Sequence, residues 1–522
     1  MHSMFLLVPV LFPLIGGAAL GLIKTEKRRC RGAFVMAITL LNSLCVGMLF
    51  AFPPEGSAVL FKLAGHLAIT FRMDGCSSVF AGLIAVLWPL ASLYALEYME
   101  HEGRERGFFA FYTMTYGITL GIAFAGNLMT MYMFYEMLTL VTIPLMMHGL
   151  DYKSVESTRK YVRYSIGGAA FAFIGFIAIV VFGDTLEFRF GGVISDAGGH
   201  ETLLRIVYVI AVLGFGVKAA IFPFHGWLPS ASVAPTPVTA LLHAVAVVKA
   251  GAFAILRITY YSFGTKLIRG SWAQYTVMCF ALVTMLYGAV KAVKEQHCKR
   301  RLAYSTVSNL SYIIFAASLM TEAGMTAAFA HLLFHGLMKI TMFYCIGAVM
   351  IKAGRRYVWE MDGMGRKMPF IMAVYTVAGL SLIGIPPMVG FVSKWYIGEA
   401  AVSAGTPWSY AGLGVLIVSA LLSAAYVLEV VVRTWLPRRA EETASGNEVS
   451  SENSVSSSEN GDAVSTDAVP ESESAAPAEH PVEKAGWRMC LPLGVLTVMI
   501  VAVGILSTSV VDLLWEVAQG IR

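Results

Sequence analysis

Apolar runs of about twenty residues recur along this 522-residue chain, and that recurrence limits its fold more than any other feature. A run of that length spans the hydrocarbon core of a bilayer as one helix. Fourteen such runs can be marked, centred roughly on residues 14, 42, 87, 117, 138, 172, 216, 249, 282, 312, 338, 384, 422 and 500. The fourth and fifth are closely joined near Gly126 and Asn127, and the ends of the eighth are the hardest to place. Composition agrees, with 57% hydrophobic and 14% charged residues, against about 25% charged in a soluble domain. The fold class is therefore an all-α polytopic membrane protein.

Loop charge tests the count. The connections at 24–31, 151–163, 291–301, 352–367 and 433–439 are rich in Lys and Arg, and each follows an odd-numbered run. Those at 52–74, 184–202 and 399–408 carry few positives. In 97–106 acids offset the arginines, the loop after the seventh run has no Lys or Arg, and Lys266 and Arg269 fall on the sparse side. The positive-inside rule then predicts both termini outside a prokaryotic inner membrane, with fourteen crossings. The net charge of +5 is not gathered into one basic face, so nucleic-acid binding is excluded as a reading.

The seven cysteines form no CxxC pair, so no iron–sulfur or zinc site is expected, and they read as small packing residues. The first run has its basic residues after it, as a retained helix does and a signal peptide does not. Residues 438–486 are Ser-, Glu- and Ala-rich and acidic. They read as a disordered cytoplasmic linker, a tolerated insertion between a thirteen-helix core (1–437) and a last transmembrane helix (487–522).

Titratable residues inside the runs are the candidate functional groups, because a charge at the bilayer centre costs about 2.5–3.5 kcal/mol. Glu136 sits in the middle of MYMFYEMLTLVTIPL and reads as a proton site in preference to a structural ion pair. Tyr132 and Thr139 share its face and are candidate hydrogen-bond partners. Lys218 lies one turn before Pro223, where the missing backbone donor predicts a helix break. Such breaks recur at transporter binding sites. His225 reads equally as a helix-end histidine or a relay group. His243 and Lys249 share the eighth run but, six residues apart, not a helix face. Arg257 stands near the outer helix end, where it can snorkel, and is given no role.

Ser305, Ser308, Asn309 and Tyr312 make a polar stripe on the tenth run, which is either packing glue or the lining of a wet path. In HLLFHGLMKITMF, His331, His335 and Lys339 repeat every four residues and so share one face. Two histidines at that spacing suit a metal, but no third ligand is evident and a lysine extends the line. Proton transfer is the preferred reading. Pro386 and Pro387 break the twelfth run, and Lys394 follows. A broken helix beside a lysine thus occurs twice, about 170 residues apart, as in transporters built from internal repeats.

The segments HGWLPSASVAPTPVTALLHAVAVVKAG, KRRLAYSTVSNLSYIIF, HLLFHGLMKITMF and GIPPMVGFVSKWY resemble signature stretches of the antiporter-like membrane subunits. These occur in respiratory complex I, in membrane-bound energy-converting hydrogenases and in Mrp-type cation/proton antiporters. The resemblance covers about residues 70–435. It implies fourteen helices with two inverted five-helix repeats, roughly 108–262 and 273–436. By the same resemblance Glu136 matches the family's fifth-helix glutamate and Lys218 its lysine in the broken seventh helix. Lys249 and His243 match its eighth-helix lysine or histidine. His331, His335 and Lys339 match the eleventh-helix groups, and Lys394 the twelfth-helix lysine or glutamate. The chain departs from the pattern in two ways: it offers no long lateral helix after the core, and it carries the acidic linker.

The resemblance implies a proton-translocating subunit of a redox-driven complex, such as a complex I-like dehydrogenase or a membrane-bound hydrogenase. A subunit of an Mrp-type sodium/proton antiporter is the alternative, and a non-conducting scaffold is the alternative of another class. No cofactor or metal is expected in this chain. Flavin, iron–sulfur or nickel–iron centres would belong to partner subunits of such an oxidoreductase, and the expected partners are other membrane subunits, including homologous ones. Protons, with sodium as a second candidate, are the expected ions.

Overall fold

The computed structural model describes residues 3–23, 27–64, 67–436 and 482–521. It is built from seventeen helices longer than one or two turns and one β-hairpin. The first half holds α1 (Val8–Leu22), α2 (Arg28–Ala51), α3 (Gly75–Tyr98), α4 (Glu105–Ala123), α5 (Leu128–Met146), α6 (Tyr152–Phe182), α7 (Glu201–Lys218), α8 (Thr236–Ala244) and α9 (Val247–Arg257). The second holds α10 (Trp272–Lys294), α11 (Cys298–Ser318), α12 (Glu322–Ala353), α13 (Pro369–Ile383), α14 (Val389–Ala404), α15 (Pro407–Trp435), α16 (Trp487–Ile505) and α17 (Ser507–Ala518).

Among the described residues ten helical stretches are long and apolar enough to cross a membrane, and the protein is an integral membrane protein. Thirteen of the fourteen centres read from the sequence fall inside helices, and the one at 384 falls at the junction of α13 and α14. The close fourth and fifth runs separate cleanly, because Asn127 caps α5 by accepting from Thr130 N. Two elements were not anticipated. Residues 57–72 form an antiparallel hairpin, β1 (Ser57–Ala64) with β2 (Leu67–Arg72), docked on the α4–α5 turn through Gly126 N to Thr70 O. The eighth run is interrupted at Val245 and Ala246, between α8 and α9, and continues past α9 as a π-helical turn, Ile258–Phe263. Of the acidic segment expected at 438–486, residues 438–481 lie outside the described residues.

Burial sorts the helices. The stretch Thr236–Phe263 is buried along its whole length, and α12 is buried along nearly all of its length. Outer helices are apolar towards the surface, with Ile166 and Val181 exposed on α6 and Ile417 and Leu421 on α15. In a bilayer that exposed surface meets lipid, and the buried helices must satisfy their polar groups internally. Of the titratable residues of the sequence pattern, His243, Lys249, His331, His335 and Lys339 stand on these buried helices, while Glu136, Lys218 and Lys394 stand on α5, α7 and α14, which each keep an exposed side.

Candidate functional site: a line of buried lysines and histidines

The first group forms at the break after α7. Ala220 takes a left-handed backbone, the Phe222–Pro223 bond is cis, and the helix stops at Lys218. The backbone groups freed there find partners: Phe222 N donates to Thr284 Oγ1 at 2.9 Å and Trp227 Nε1 to Val217 O at 2.8 Å. Lys218 Nζ donates to Tyr135 O, lies over the Tyr135 ring and faces Glu136 Oε1 at 3.5 Å. Lysine and glutamate are thus held as a pair by α7 and α5. Tyr132 does not join them: its hydroxyl donates to Ala169 O at 3.3 Å.

The second group centres on α12. Lys249 Nζ is 2.8 Å from His335 Nδ1, and the His335 and His331 rings are 5.6 Å apart. His331 Nδ1 is 2.9 Å from Ser393 Oγ, and its ring packs 5.1 Å from Tyr312. Lys394 Nζ stands 5.6 Å from the Tyr312 ring. Lys339, one turn beyond His335, donates to Ser305 Oγ and, at 3.3 Å, to Leu302 O. A line of groups on α9, α12, α11 and α14 therefore runs from Lys249 to Lys394. The stripe on α11 divides its tasks. Ser308 and Tyr312 bond Ser419 of α15 at 3.0 and 2.9 Å, and Asn309 bonds its own helix at Ser305 O. Ser305 meets the charged line through its hydroxyl and Tyr312 through its ring.

The second break differs in detail from the first. Pro386–Pro387 is cis and Gly384 is left-handed, but here the lysine caps the break itself. Lys394 Nζ donates to Leu382 O at 2.7 Å and Ile383 O at 2.8 Å. The carbonyls that α13 leaves open at its end are thus satisfied.

The two groups approach each other where α9 crosses the end of α7. A Cβ on Gly251 would sit 2.5 Å from Ala219 N, so glycine alone permits this contact. His243 stands apart: both ring nitrogens are buried without a hydrogen-bond partner among the described residues, and its ring packs 4.8 Å from Phe343. His225 is also separate, packed 4.5 Å from Tyr287.

A cavity of about 830 Å³ opens on the face that carries the basic connections. Lys153, Lys160, Lys299, Arg300, Asp151 and Glu102 are among its lining residues. Its inner wall holds Lys299, buried and donating to Ala234 O at 2.8 Å, and Ser232, whose buried hydroxyl has no protein partner. From Thr236, just inside that wall, α8 leads to His243. At the rim the His297 imidazole is pushed down to about 4, by burial first and then by Lys299 and Arg300.

Sequence reasoning passed over several groups. Lys299 reads from the sequence as a topology charge, yet it is 3% exposed. Arg301, in the same basic loop, is buried against Glu429 at 2.8 Å. Arg257 does not snorkel: it is 1% exposed and forks onto Asp74, with both contacts at 2.7 Å. The run DGCS at 74–77, an N-cap signature, was the available signal for Asp74.

Residues 125–423 match the model of the transmembrane family described as NADH:quinone oxidoreductase/Mrp antiporter. The chain belongs to that family. It is 32% identical over 389 residues to NADH-quinone oxidoreductase subunit N of Desulforudis audaxviator (strain MP104C), covering 74% of each chain. It is 31% identical over 390 residues to the A/B subunit of the probable K(+)/H(+) antiporter of Rhizobium meliloti (strain 1021), covering 74% of this chain and 38% of that one. Against the A1 subunit of the Na(+)/H(+) antiporter of Staphylococcus haemolyticus (strain JCSC1435) it is 29% identical over 473 residues, 84% of this chain and 58% of that one. The chain thus spans less than two thirds of these two antiporter proteins. Its fold is shared by a chain of an archaeal respiratory complex, the membrane-bound sulfane sulfur reductase, with a TM-score of 0.81 at 20% identity, covering 99% of this chain and 98% of that one. A chain of the Mrp complex from Dietzia sp. DQ12-45-1b matches equally, with a TM-score of 0.81 at 22% identity over 98% and 97% of the two chains. The antiporter-like family expected from the motifs is the one found.

Proposed function

We propose that this chain moves protons across the membrane, as one component of a larger membrane complex, along Glu136, Lys218, Lys249, His335, His331 and Lys394. The line of contacts from Lys249 to Lys394, which starts on the buried helices α9 and α12, carries the reading. Lysine and histidine nitrogens exchange protons, and a buried amine changes its proton affinity when a carboxylate approaches or leaves. Glu136 opposite Lys218 supplies that carboxylate. Shifting the pair loads or releases a proton at the head of the line, and the groups titrate as a coupled set. A proton moved against 100 mV needs about 2.3 kcal/mol, within the range of such a rearrangement.

The cavity lined by Lys299 and Ser232 is the aqueous entry in this reading, and α8 with His243 leads inward from it. Orphaned ring nitrogens on His243, His331 and His335 call for water between the groups. By the positive-inside rule this face is cytoplasmic. The ion is a proton and not sodium: hard cations take oxygen ligands, and the line is made of amines and imidazoles with Glu136 as its one carboxylate. The two repeats, roughly 108–262 and 273–436, would each supply one break and one lysine. Any redox centre would sit on partner subunits, and the relatives named above leave both a redox-driven complex and an Mrp-type antiporter as its setting.

The test replaces Glu136 with Gln and Lys218 with Met in the assembled complex, reconstituted in sealed vesicles. Proton movement per complex is expected to fall at least tenfold. A normal rate in both variants means that the buried charges only hold helices together. Mass identification of the co-purifying subunits decides between the two settings.

A further inference from the structure

Helix α9 is an eleven-residue rod with irregular backbone at both ends. Before it, Val245 and Ala246 leave helical geometry, and Ala246 N reaches back to Leu241 O. After it comes the π-helical turn Ile258–Phe263. Such a rod is free to tilt as a unit unless something fixes it, and π turns of this kind concentrate at functional sites. Near its inner end it carries Lys249. At its outer end it carries Arg257.

We propose that Arg257 and Asp74 are a positioning pair for proton transfer: their fork fixes the tilt of α9 and so sets Lys249 against His335. This rests on the proton-path reading above. The Arg257 guanidinium meets both Asp74 oxygens at 2.7 Å and Ser77 Oγ at 2.9 Å. It is boxed by the rings of Phe188, Phe253 and Tyr261, with its carbon 5.0, 5.2 and 4.8 Å from their centroids. A bidentate fork in such a box fixes direction as well as distance. The π turn beyond it is held in turn by Tyr208 to Thr259 at 3.0 Å and Tyr260 to Ala317 O at 3.1 Å. The outer end of the rod is therefore anchored by a fork and tyrosine hydrogen bonds, while its inner end follows the irregular backbone at 245–246 and meets its neighbours through Lys249 and Gly251.

Lys249 and Arg257 are eight residues apart, about 12 Å along the helix. A tilt of about 5° at the anchor displaces Lys249 by about 1 Å over that length. That is enough to lengthen its 2.8 Å contact with His335 past the limit of a hydrogen bond. The same tilt would move Gly251 against the end of α7, beside Lys218. One anchor therefore governs both the Lys249 contact and the junction between the two groups.

The experiment compares Arg257→Gln and Asp74→Asn with the wild-type chain in the assembled complex in vesicles. It reads proton movement per complex across a pH series. Lys249 is faced by His335, His331 and Lys339 on α12, His335 in turn faces His243 on α8, and α9 meets the backbone at the end of α7 through Gly251, so a displaced Lys249 alters how this set titrates. The expected result is a fall of at least fivefold with a displaced pH profile, and an intermediate effect for Arg257→Lys, which keeps the charge but loses the fork. An unchanged rate and profile overturns the proposal, and so does a lower rate with an unchanged profile, which is what a purely structural role gives. If the stronger variants do not assemble, Ser77→Ala removes one hydrogen bond from the fork, and an unshifted profile there overturns it equally. Should Glu136→Gln and Lys218→Met also pump normally, the proton path itself has failed. If they stop pumping while the Arg257 variants do not, only the positioning role has.

Discussion

Lys249 Nζ and His335 Nδ1 face each other at 2.8 Å between α9 and α12. At that distance one nitrogen must present a lone pair to the other, so the two hold one proton between them and are not both charged. A contact that shares a proton is where a relay is easiest to cut. Replacing His335 with Ala removes the ring nitrogen that Lys249 meets on α12 and leaves its buried amine without that hydrogen bond. Proton movement per assembled complex is expected to fall at least tenfold, read with a pH-sensitive dye in vesicles. His243→Ala deletes a ring that bonds no protein group and is expected to cost about twofold. Equal rates for wild type and the His335 variant contradict the path.

The second break depends on how closely α13 and α14 approach. A Cβ on Gly390 would sit 1.7 Å from Ser381 O, a backbone atom that cannot swing aside. Gly390→Ala is expected to destabilise the chain by about 3 kcal/mol through forced backbone movement. Gly414, on α15, meets nothing within 4 Å. There alanine is expected to be neutral or to stabilise by about 0.5–1 kcal/mol, through helix propensity and a stiffer unfolded chain. Thermal melts of the two variants in detergent make the comparison. Similar melting for both would place the tight contact elsewhere.

Helix positions were readable from the sequence because lipid asks for the same thing at every span, a run of apolar residues long enough to cross. The two proline breaks were readable for a local reason as well, since Pro223, Pro386 and Pro387 remove backbone donors where they stand. The break at Val245 and Ala246 has no such mark: HAVAVVK contains neither glycine nor proline, and its shape is set by packing against neighbours. The π turn ITYYSF is equally silent. Among the site residues, spacing alone placed His331, His335 and Lys339 on one face. What it left open was which lysine meets that face. The partners of Lys249 and Arg257 lie 86 and 183 residues away in sequence, and no local pattern joins them. Lys299 was hidden differently, because a buried lysine in a basic loop looks like its topology-setting neighbours.

The last long helix is tied down by a carboxylate from another helix. Glu97 is 7% exposed and accepts from Gly486 N at 2.6 Å and Met489 N at 3.2 Å, so it caps α16 from α3. An anionic cap satisfies open donors and opposes the positive end of the helix dipole. Glu97→Ala is expected to cost about 1–2 kcal/mol. Glu483, bonded to Lys352 at 3.1 Å, remains as a second tether, so α16 should loosen at its start without leaving the bundle. Faster amide exchange confined to 484–490 is the expected readout. Exchange at the wild-type rate would mean that the cap contributes nothing.

The rim of the cavity gives a pH dependence that can be measured without any transport assay. The His297 imidazole, packed 5.4 Å from the Tyr357 ring, is pushed down to about 4, chiefly by burial and further by Lys299 and Arg300. The folded chain therefore keeps it neutral down to about pH 4, while an unfolded chain protonates it near 6.5. Between those values the unfolded state binds the extra proton, so the stability His297 contributes is intact above 6.5 and is lost as pH falls through that window. Glutamine at this position has no charge to gain. The wild-type melting temperature is expected to drop relative to His297→Gln between pH 7 and pH 4.5, with the two curves parallel above pH 7. Curves parallel throughout would mean that the imidazole is as easily protonated in the folded chain as in water, and that the rim is more open than its packing against Tyr357 implies.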